Sequence, residues 1–401
     1  MAIASDLLLA EARAQLPETV ALRRRIHERP ELGLHLPETR RAVEKAIADL
    51  GLELTASEKT SGLVARLRGG RPGPAILLRG DMDALPMPES NDLPFASKQE
   101  GRMHACGHDA HTAMLAGAAR MLTAHREALA GDVIFLFQPG EEGHFGAKVM
   151  LDEGLLDGDG APDAVFAIHI EPRVPVGRVA SRPGPLMAAA DVWSVELVGR
   201  GGHASMPHDT LDPVPAACEI VQALQTFVTR RIDAFDPVVI SVTRIEAGTT
   251  NNVIPERANL LGTLRSTSEA ARARAQAGIR RIASQIAAAH ELEARVQVVD
   301  GYPVTINDAE FSAFTREVTG ELLGEGAFID MAAPVMGAED FSYLLQRWPG
   351  AMVFLGVRPE GAEQPAPCHS NRMVLNEDGM AAGMALHCAV ALRYLERAEA
   401  R

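Results

Sequence analysis

The sequence predicts an α/β protein: a mainly parallel, helix-covered sheet interrupted by a smaller inserted α+β part with two-layer, ferredoxin-like order. Three observations predict it. Short, fully apolar runs at 75–78, 133–137 and 164–170 alternate with helical periodicity, as strands buried on both faces do. Beyond a Pro/Gly-rich hinge, Ser181-Arg182-Pro183-Gly184-Pro185, apolar and polar residues alternate, as in strands with one wet face. That second stretch reads strand, helix, strand, strand, helix, strand, the order of a split βαβ sandwich.

From Asp6 to about Gly51 the periodicity predicts helix in two pieces. The break falls at Arg29-Pro30-Glu31, and Pro37-Glu38-Thr39 restarts a helix with Pro near its first position. Ala75 to Leu78 is a strand running into Arg79-Gly80-Asp81-Met82-Asp83. Asp109 to His125 is helical, because Ala110, Met114, Leu115, Ala118, Met121 and Leu122 recur at helical spacing. Val133 to Phe137 is an apolar strand ending at Gln138-Pro139-Gly140-Glu141-Glu142-Gly143, and Ala164 to Ile170 is another. In the insertion, strands fall at 192–197, 238–245, 258–264 and 294–299, with helices at 211–229 and 269–289. From about Asn307 a helix, a strand at Met352–Leu355 and a closing helix at 378–399 return to the first pattern. The expected domains are therefore a discontinuous one, 1–184 with 301–401, and an insertion, 185–300.

A chain of 401 residues suffices for two or three domains and several cores, so disulfide staples are unnecessary. Hydrophobic residues at 47% and charged residues at 23% exclude a disordered or fibrous chain. A net charge of −14 argues against nucleic-acid partners, which select a basic face. No apolar run reaches the roughly 18 residues that span a bilayer, so no membrane partner is expected. The start, Met1-Ala2-Ile3-Ala4-Ser5-Asp6, lacks a basic segment and meets an acid at once, which argues against a secretory signal. Cysteines at 106, 218, 368 and 388 fit neither a disulfide framework nor paired zinc motifs. Reduced thiols in a cytoplasm fit that spacing.

Metal-ligand residue types concentrate at strand ends. Met103-His104-Ala105-Cys106-Gly107-His108-Asp109-Ala110-His111 is dense in donors, and a thiolate with an imidazole two residues on can share one cleft. Glu141-Glu142 after a strand and a Pro-Gly turn suits one ligand and one general base. His169, in an otherwise apolar strand, is a satisfied core residue or a ligand, and His369 lies in the loop Pro367-Cys368-His369-Ser370-Asn371. Each alone is weak; together they argue for a built metal site.

The chain resembles the metal-dependent amidohydrolases of the aminoacylase and carboxypeptidase superfamily, nearest the hippurate hydrolases, plant auxin-conjugate hydrolases and bacterial N-acyl-amino-acid deacylases. The resemblance rests on Ile26-His27-Glu28-Arg29-Pro30-Glu31-Leu32-Gly33, Gly80-Asp81-Met82-Asp83-Ala84-Leu85-Pro86, His104-Ala105-Cys106-Gly107-His108-Asp109 and Gln138-Pro139-Gly140-Glu141-Glu142. Further along it adds Gly199-Arg200-Gly201-Gly202-His203-Ala204-Ser205, Asn251-Asn252-Val253-Ile254-Pro255, Gly337-Ala338-Glu339-Asp340-Phe341 and His369. It implies that Cys106, His108, Glu142, His169 and His369 hold two divalent ions per chain, Mn²⁺, Zn²⁺, Ni²⁺ or Co²⁺. Other branches carry His where Asp81 stands and Asp where Cys106 stands, so this chain resembles the Cys-containing branch.

The implied reaction is hydrolysis of the amide bond of N-acyl-L-amino acids, with Glu141 as general base and His203 as an oxyanion donor. Asn252 and Arg265 are implied binders of the substrate carboxylate, which an Arg fork suits. Asp83 is implied to orient a ligating His from behind. The insertion would serve as a lid and as the surface of a homodimer. Alternatives are a dipeptidase, an N-acetyl-diaminopimelate deacetylase, or an inactive small-molecule binding protein on the same fold. His27 reads as helix-end packing, His111 as structural or behind a ligand, and Cys218, Cys368 and Cys388 as inert thiols. His104, His125, His208, His290 and His387 read as surface or core residues.

Overall fold

The computed structural model describes residues 3–399; Met1 and Ala2 of the opening segment, and the expected first domain's outermost ends, lie outside them. The chain divides into two compact units, one of 3–184, 306–333 and 343–399, the other of Pro185–Thr305 and Pro334–Ser342.

In the first unit the strands form one eight-stranded sheet. Across it they run Glu53–Ala56, Leu63–Leu67, Ala130–Gln138, Arg71–Asp81, Ala164–Glu171, Gly350–Gly356, Val179–Ser181 and Phe328–Asp330. The central four, Ala130–Gln138 through Gly350–Gly356, are parallel to one another. Antiparallel pairing is confined to the flanks. The helices His108–Ala124 and Gly379–Glu399 both pack on the strand Arg71–Asp81. This is the mainly parallel, helix-covered α/β architecture that the apolar runs predict. Strand Gly350–Gly356 is buried at every position, and Phe135, Phe137 and Phe166 are wholly buried. Each such side chain contributes about 1.5–3 kcal/mol on leaving water.

The edges of the sheet differ from the sequence reading. Glu53–Ala56 is exposed along its whole length, so it has no apolar pattern to detect. Val179–Ser181 and Phe328–Asp330 are too short to show a period. The strand expected at Ala75–Leu78 starts at Arg71, because a register shift between Arg71 and Ala75 absorbs Pro72-Gly73-Pro74.

The second unit holds a four-stranded antiparallel sheet in the order Val238–Ala247, Arg257–Ser266, Ala189–Val198, Glu293–Val299. Helices Pro213–Arg231 and Glu269–Ala289 pack on it, each capped by a side-chain oxygen, from Asp212 and Ser268. Trp193, Val195 and Leu197 face those helices with Ile220, Leu224 and Ile279. This is the expected ferredoxin-like, two-layer α+β order. The segment Pro334–Ser342 belongs to this unit, although the sequence reading places 301–401 with the first. The cause is backbone pairing: Ala188 N–H donates to the carbonyls of Val335 and Gly337, and Val335 N–H to that of Leu186. No helix among the described residues is long and apolar enough to cross a membrane.

Candidate metal centre

The four parallel strands put their carboxyl ends on one edge, where ligands settle in such sheets. Strand Arg71–Asp81 leads to Asp81 and Asp83, and strand Ala130–Gln138 leads to Glu141 and Glu142. Strand Ala164–Glu171 carries His169, and the chain beyond Gly350–Gly356 carries His369. Cys106 and His108 straddle Gly107, which opens the helix His108–Ala124 at φ +83°. A Cβ on Gly107 would lie 2.4 Å from Ile170 Cγ1, so both the angle and the space require glycine.

The donor atoms of Cys106, His108 and His169 lie within 4.8 Å of one another, and so do those of Cys106, Glu142 and His369. Cys106 is common to both sets, which makes two adjoining centres with a shared sulfur. Cys106 Sγ is 3.4 Å from His169 Nε2, and His369 Nε2 is 3.2 Å from Glu142 Oε1. His108 donates from Nδ1 to the main-chain carbonyl of Asp83 at 2.8 Å, and His169 from Nδ1 to that of Ile170 at 2.6 Å. Both rings thereby offer Nε2 as the free lone pair. His369 sits at φ +66°, a left-handed conformation uncommon for residues other than glycine, held by its N–H bond to Ala105 O at 2.8 Å.

These residues fit two divalent cations. His108 Nε2 is buried without a hydrogen-bond partner, yet stands 3.5 Å from Asp81 and 4.0 Å from both Glu141 and Glu142. Glu142 Oε1 is likewise buried and unbonded, its approach to His369 lying off the direction of a hydrogen bond. Burial opposes a charge on His108, but Asp81, the bond to Asp83 and Glu142 outweigh it and lift its pKa to about 10. Burial also raises Glu142, but His369 and His108 outweigh it and hold its carboxyl below the ordinary range. A pocket that draws positive charge this strongly suits cations. A hydrogen bond with Cys368, burial, and the charges of Cys368, Glu142 and Glu141 push the Cys106 thiol up, so ligation there releases a proton. Cys368 is thus a neighbour of Cys106.

Three further residues brace the centre from behind. Asp83 meets His108 through its main-chain oxygen, while its carboxylate accepts the backbone N–H groups of Glu141 and Glu142 at 2.8 and 3.0 Å. It fixes the two glutamates, and its Oδ1 also stands 3.7 Å from His108 Nδ1. Asp81 is held by Arg79 at 2.5 Å and by His111 Nδ1 at 2.6 Å. His111 Nε2 accepts from Ile170 N–H at 2.8 Å, so both ring nitrogens are used and His111 is a strut, as one sequence reading has it. Nothing local in the sequence marks Arg79, a wholly buried cation inside an apolar strand.

His27 is more than a helix-end packing residue. With Arg23 it grips Asp109 Oδ2, both at 2.8 Å, and its Nε2 is 3.2 Å from Glu89. Burial disfavours the imidazolium, but Asp109 and Glu89 outweigh it and raise the pKa to about 9. A raised pKa adds stability that is complete below the unfolded value of about 6.5 and is lost as pH rises through 9. Wild type should lose on the order of 3 kcal/mol relative to His27→Gln between those limits. Paired denaturation curves at pH 6.5 and 9.5 check this; an equal change in unfolding free energy in the two proteins would refute it.

His203 and Asn252 lie together in the second unit, where Ala204 N–H bonds Asn252 O at 3.0 Å and His203 pairs with Val253. His203 Nδ1 accepts from Ser205 N–H at 3.1 Å, which leaves the proton of the neutral ring on Nε2. Arg265 stands on strand Arg257–Ser266, paired with Val239 and Ala190 on its two sides. Half-buried, it makes no hydrogen bond among the described residues; burial lowers its pKa and Asp191 opposes the shift.

The sequence profile of Peptidase family M20/M25/M40 matches residues 77–393. The chain is 40% identical over 382 residues to thermostable carboxypeptidase 2 of Saccharolobus solfataricus, covering 94% of this chain and 95% of that one. It is 39% identical over 381 residues to IAA-amino acid hydrolase ILR1-like 2 of Arabidopsis thaliana, covering 94% and 85%. Among solved structures it matches the Bacillus subtilis YXEP protein, described as a dinuclear metal binding peptidase, with a TM-score of 0.83 and 33% identity, covering 96% and 99%.

Proposed function

The chain belongs to peptidase family M20/M25/M40 and is a hydrolase of amide bonds, and on that premise we propose that it hydrolyses N-acyl-L-amino acids. The observation that carries this reading is the pair of donor sets sharing Cys106, with Glu141 beside them. Cys106, His108 and His169 would hold one divalent ion, and Cys106, Glu142 and His369 the other. Bound there, the ions would lower the pKa of a water and polarise the scissile carbonyl. Glu141 takes the proton of the attacking water and returns it to the leaving amine. His203 Nε2–H serves as a donor to the developing oxyanion. Cys106 is a ligand, so it is not the nucleophile.

Arg265 and Asn252 bind the free carboxylate of the amino-acid half. An unpaired, half-buried guanidinium supports this, because a carboxylate would supply the bidentate partner it lacks. The relatives' names point the same way, since a carboxypeptidase and an IAA-amino acid hydrolase both act next to an amino acid. Binding energy from that remote group shows in kcat as well as KM. An N-acyl amino acid should therefore be cut about 10–100-fold faster than its methyl ester, and Arg265→Ala should shrink that ratio with metal content unchanged. Rates for acid and ester, measured with Mn²⁺, Co²⁺, Ni²⁺ or Zn²⁺ added, decide it. Equal rates would remove the carboxylate clamp, and faster cleavage of free dipeptides would favour a dipeptidase.

The second unit is proposed as a lid and dimer surface. Its strand Val238–Ala247 lies at a sheet edge and exposes Val239 and Ile245. Sedimentation at micromolar concentration should give a dimer; a strict monomer would remove that part alone.

A further inference from the structure

We infer that Cys106 and Cys368 are a redox pair that closes to a disulfide under a peroxide and opens under a thiol reductant. The claim stands on geometry. His369 N–H bonds Ala105 O at 2.8 Å, so the two cysteines sit one residue to either side of the point where their segments join. Backbones joined this way run about 5 Å apart. That lies within the Cα separation that disulfides span, roughly 4.4–6.8 Å. Both thiols are free, and Cys368 is the first influence on the Cys106 thiol. Cys106 is buried, whereas Cys368 is only partly so, which gives a small oxidant one sulfur to meet first. Among the described residues the other thiols have no such partner: Cys218 is exposed and Cys388 is buried against Ala118 O.

The electrons balance with hydrogen peroxide as the oxidant. The Cys368 sulfur attacks one peroxide oxygen and the O–O bond breaks; Cys368 becomes a sulfenic acid and one water leaves. The Cys106 sulfur then displaces the sulfenic oxygen, forming S–S and releasing a second water that carries off its proton. A dithiol reductant reverses the change. In the disulfide Cys106 has no thiolate to offer, and it is the donor shared by both sets. Oxidation would therefore cost the centre both ions at once. The disulfide itself does not depend on the proposed metal assignment; only this consequence rests on that reading.

The test treats the full-length protein with hydrogen peroxide, then digests it without reduction and maps cross-links by mass spectrometry. The expected product joins the peptides holding Cys106 and Cys368, two hydrogens lighter than their sum, and separates on reduction. Uptake of added Mn²⁺ or Zn²⁺ should fall at least about tenfold in the oxidised protein and return after reduction. Cys368→Ser should give neither the cross-link nor a loss that reductant reverses. The pair is overturned if Cys106 appears only as sulfinic or sulfonic acid, or if Cys368→Ser shows the same reversible loss. A mapped disulfide with undiminished metal uptake would uphold the pair and sink the two-ion reading.

Discussion

Glu141→Gln should lower kcat by about 10²–10⁴-fold while leaving metal content close to that of the wild type. Glutamine keeps the shape of the side chain and removes only its power to accept a proton. The position is buried, and its backbone N–H is held at 2.8 Å by Asp83, so the replacement has little freedom to drift. Elemental analysis and turnover on one preparation separate this outcome from its neighbour's. Glu142→Gln should cost metal, because Glu142 Oε1 belongs to the set with Cys106 and His369. The opposite pattern would show that the adjacent carboxylates have exchanged roles.

Cys106→Ala should reduce binding of both ions together, and by more than the 10–100-fold that losing a supporting partner costs, about what Asp83 or His111 would show. The reason is topological. His169 serves one donor set and His369 the other, but the sulfur serves both. Isothermal titration with Zn²⁺ or Mn²⁺ should show two weakened sites in Cys106→Ala, against one in His369→Ala. A Cys106→Ala protein that keeps one site at wild-type affinity would mean the sulfur does not bridge.

Much of this architecture is legible in the sequence, for a physical reason. Strands buried on both faces must be apolar throughout, so 75–78, 133–137 and 164–170 announce themselves. Donor-rich loops then stand out against those runs, as at Cys106, Glu141 and His369. What escapes notice depends on contacts between distant residues. Arg79 reads as a charge ending a strand, until Asp81 and Gln138 are seen to hold it in the core. Asp83 and the glutamate pair are far apart in the chain, and only the fold turns that carboxylate onto two N–H groups. Cys368 looks idle because its partner lies hundreds of residues away. The short edge strands and the return of Pro334–Ser342 depend on backbone bonds that no side-chain pattern encodes.

The place of strand Gly350–Gly356 has a consequence for how the protein is made. It lies between Ala164–Glu171 and Val179–Ser181, inside a sheet whose other strands are all synthesised before it. A ribosome releases the chain from its amino end at about 5–20 residues per second. For the interval between Glu171 and Gly356, on the order of 10–40 seconds, the apolar strand Ala164–Glu171 therefore has one edge unfilled. The helix Gly379–Glu399, which packs on Arg71–Asp81, arrives later still. The nascent chain thus carries a sticky, half-built sheet through that interval, a state that invites misassembly with its neighbours. The same late arrival bears on premature termination. A chain cut short anywhere before His369 lacks one member of the Cys106, Glu142 and His369 set.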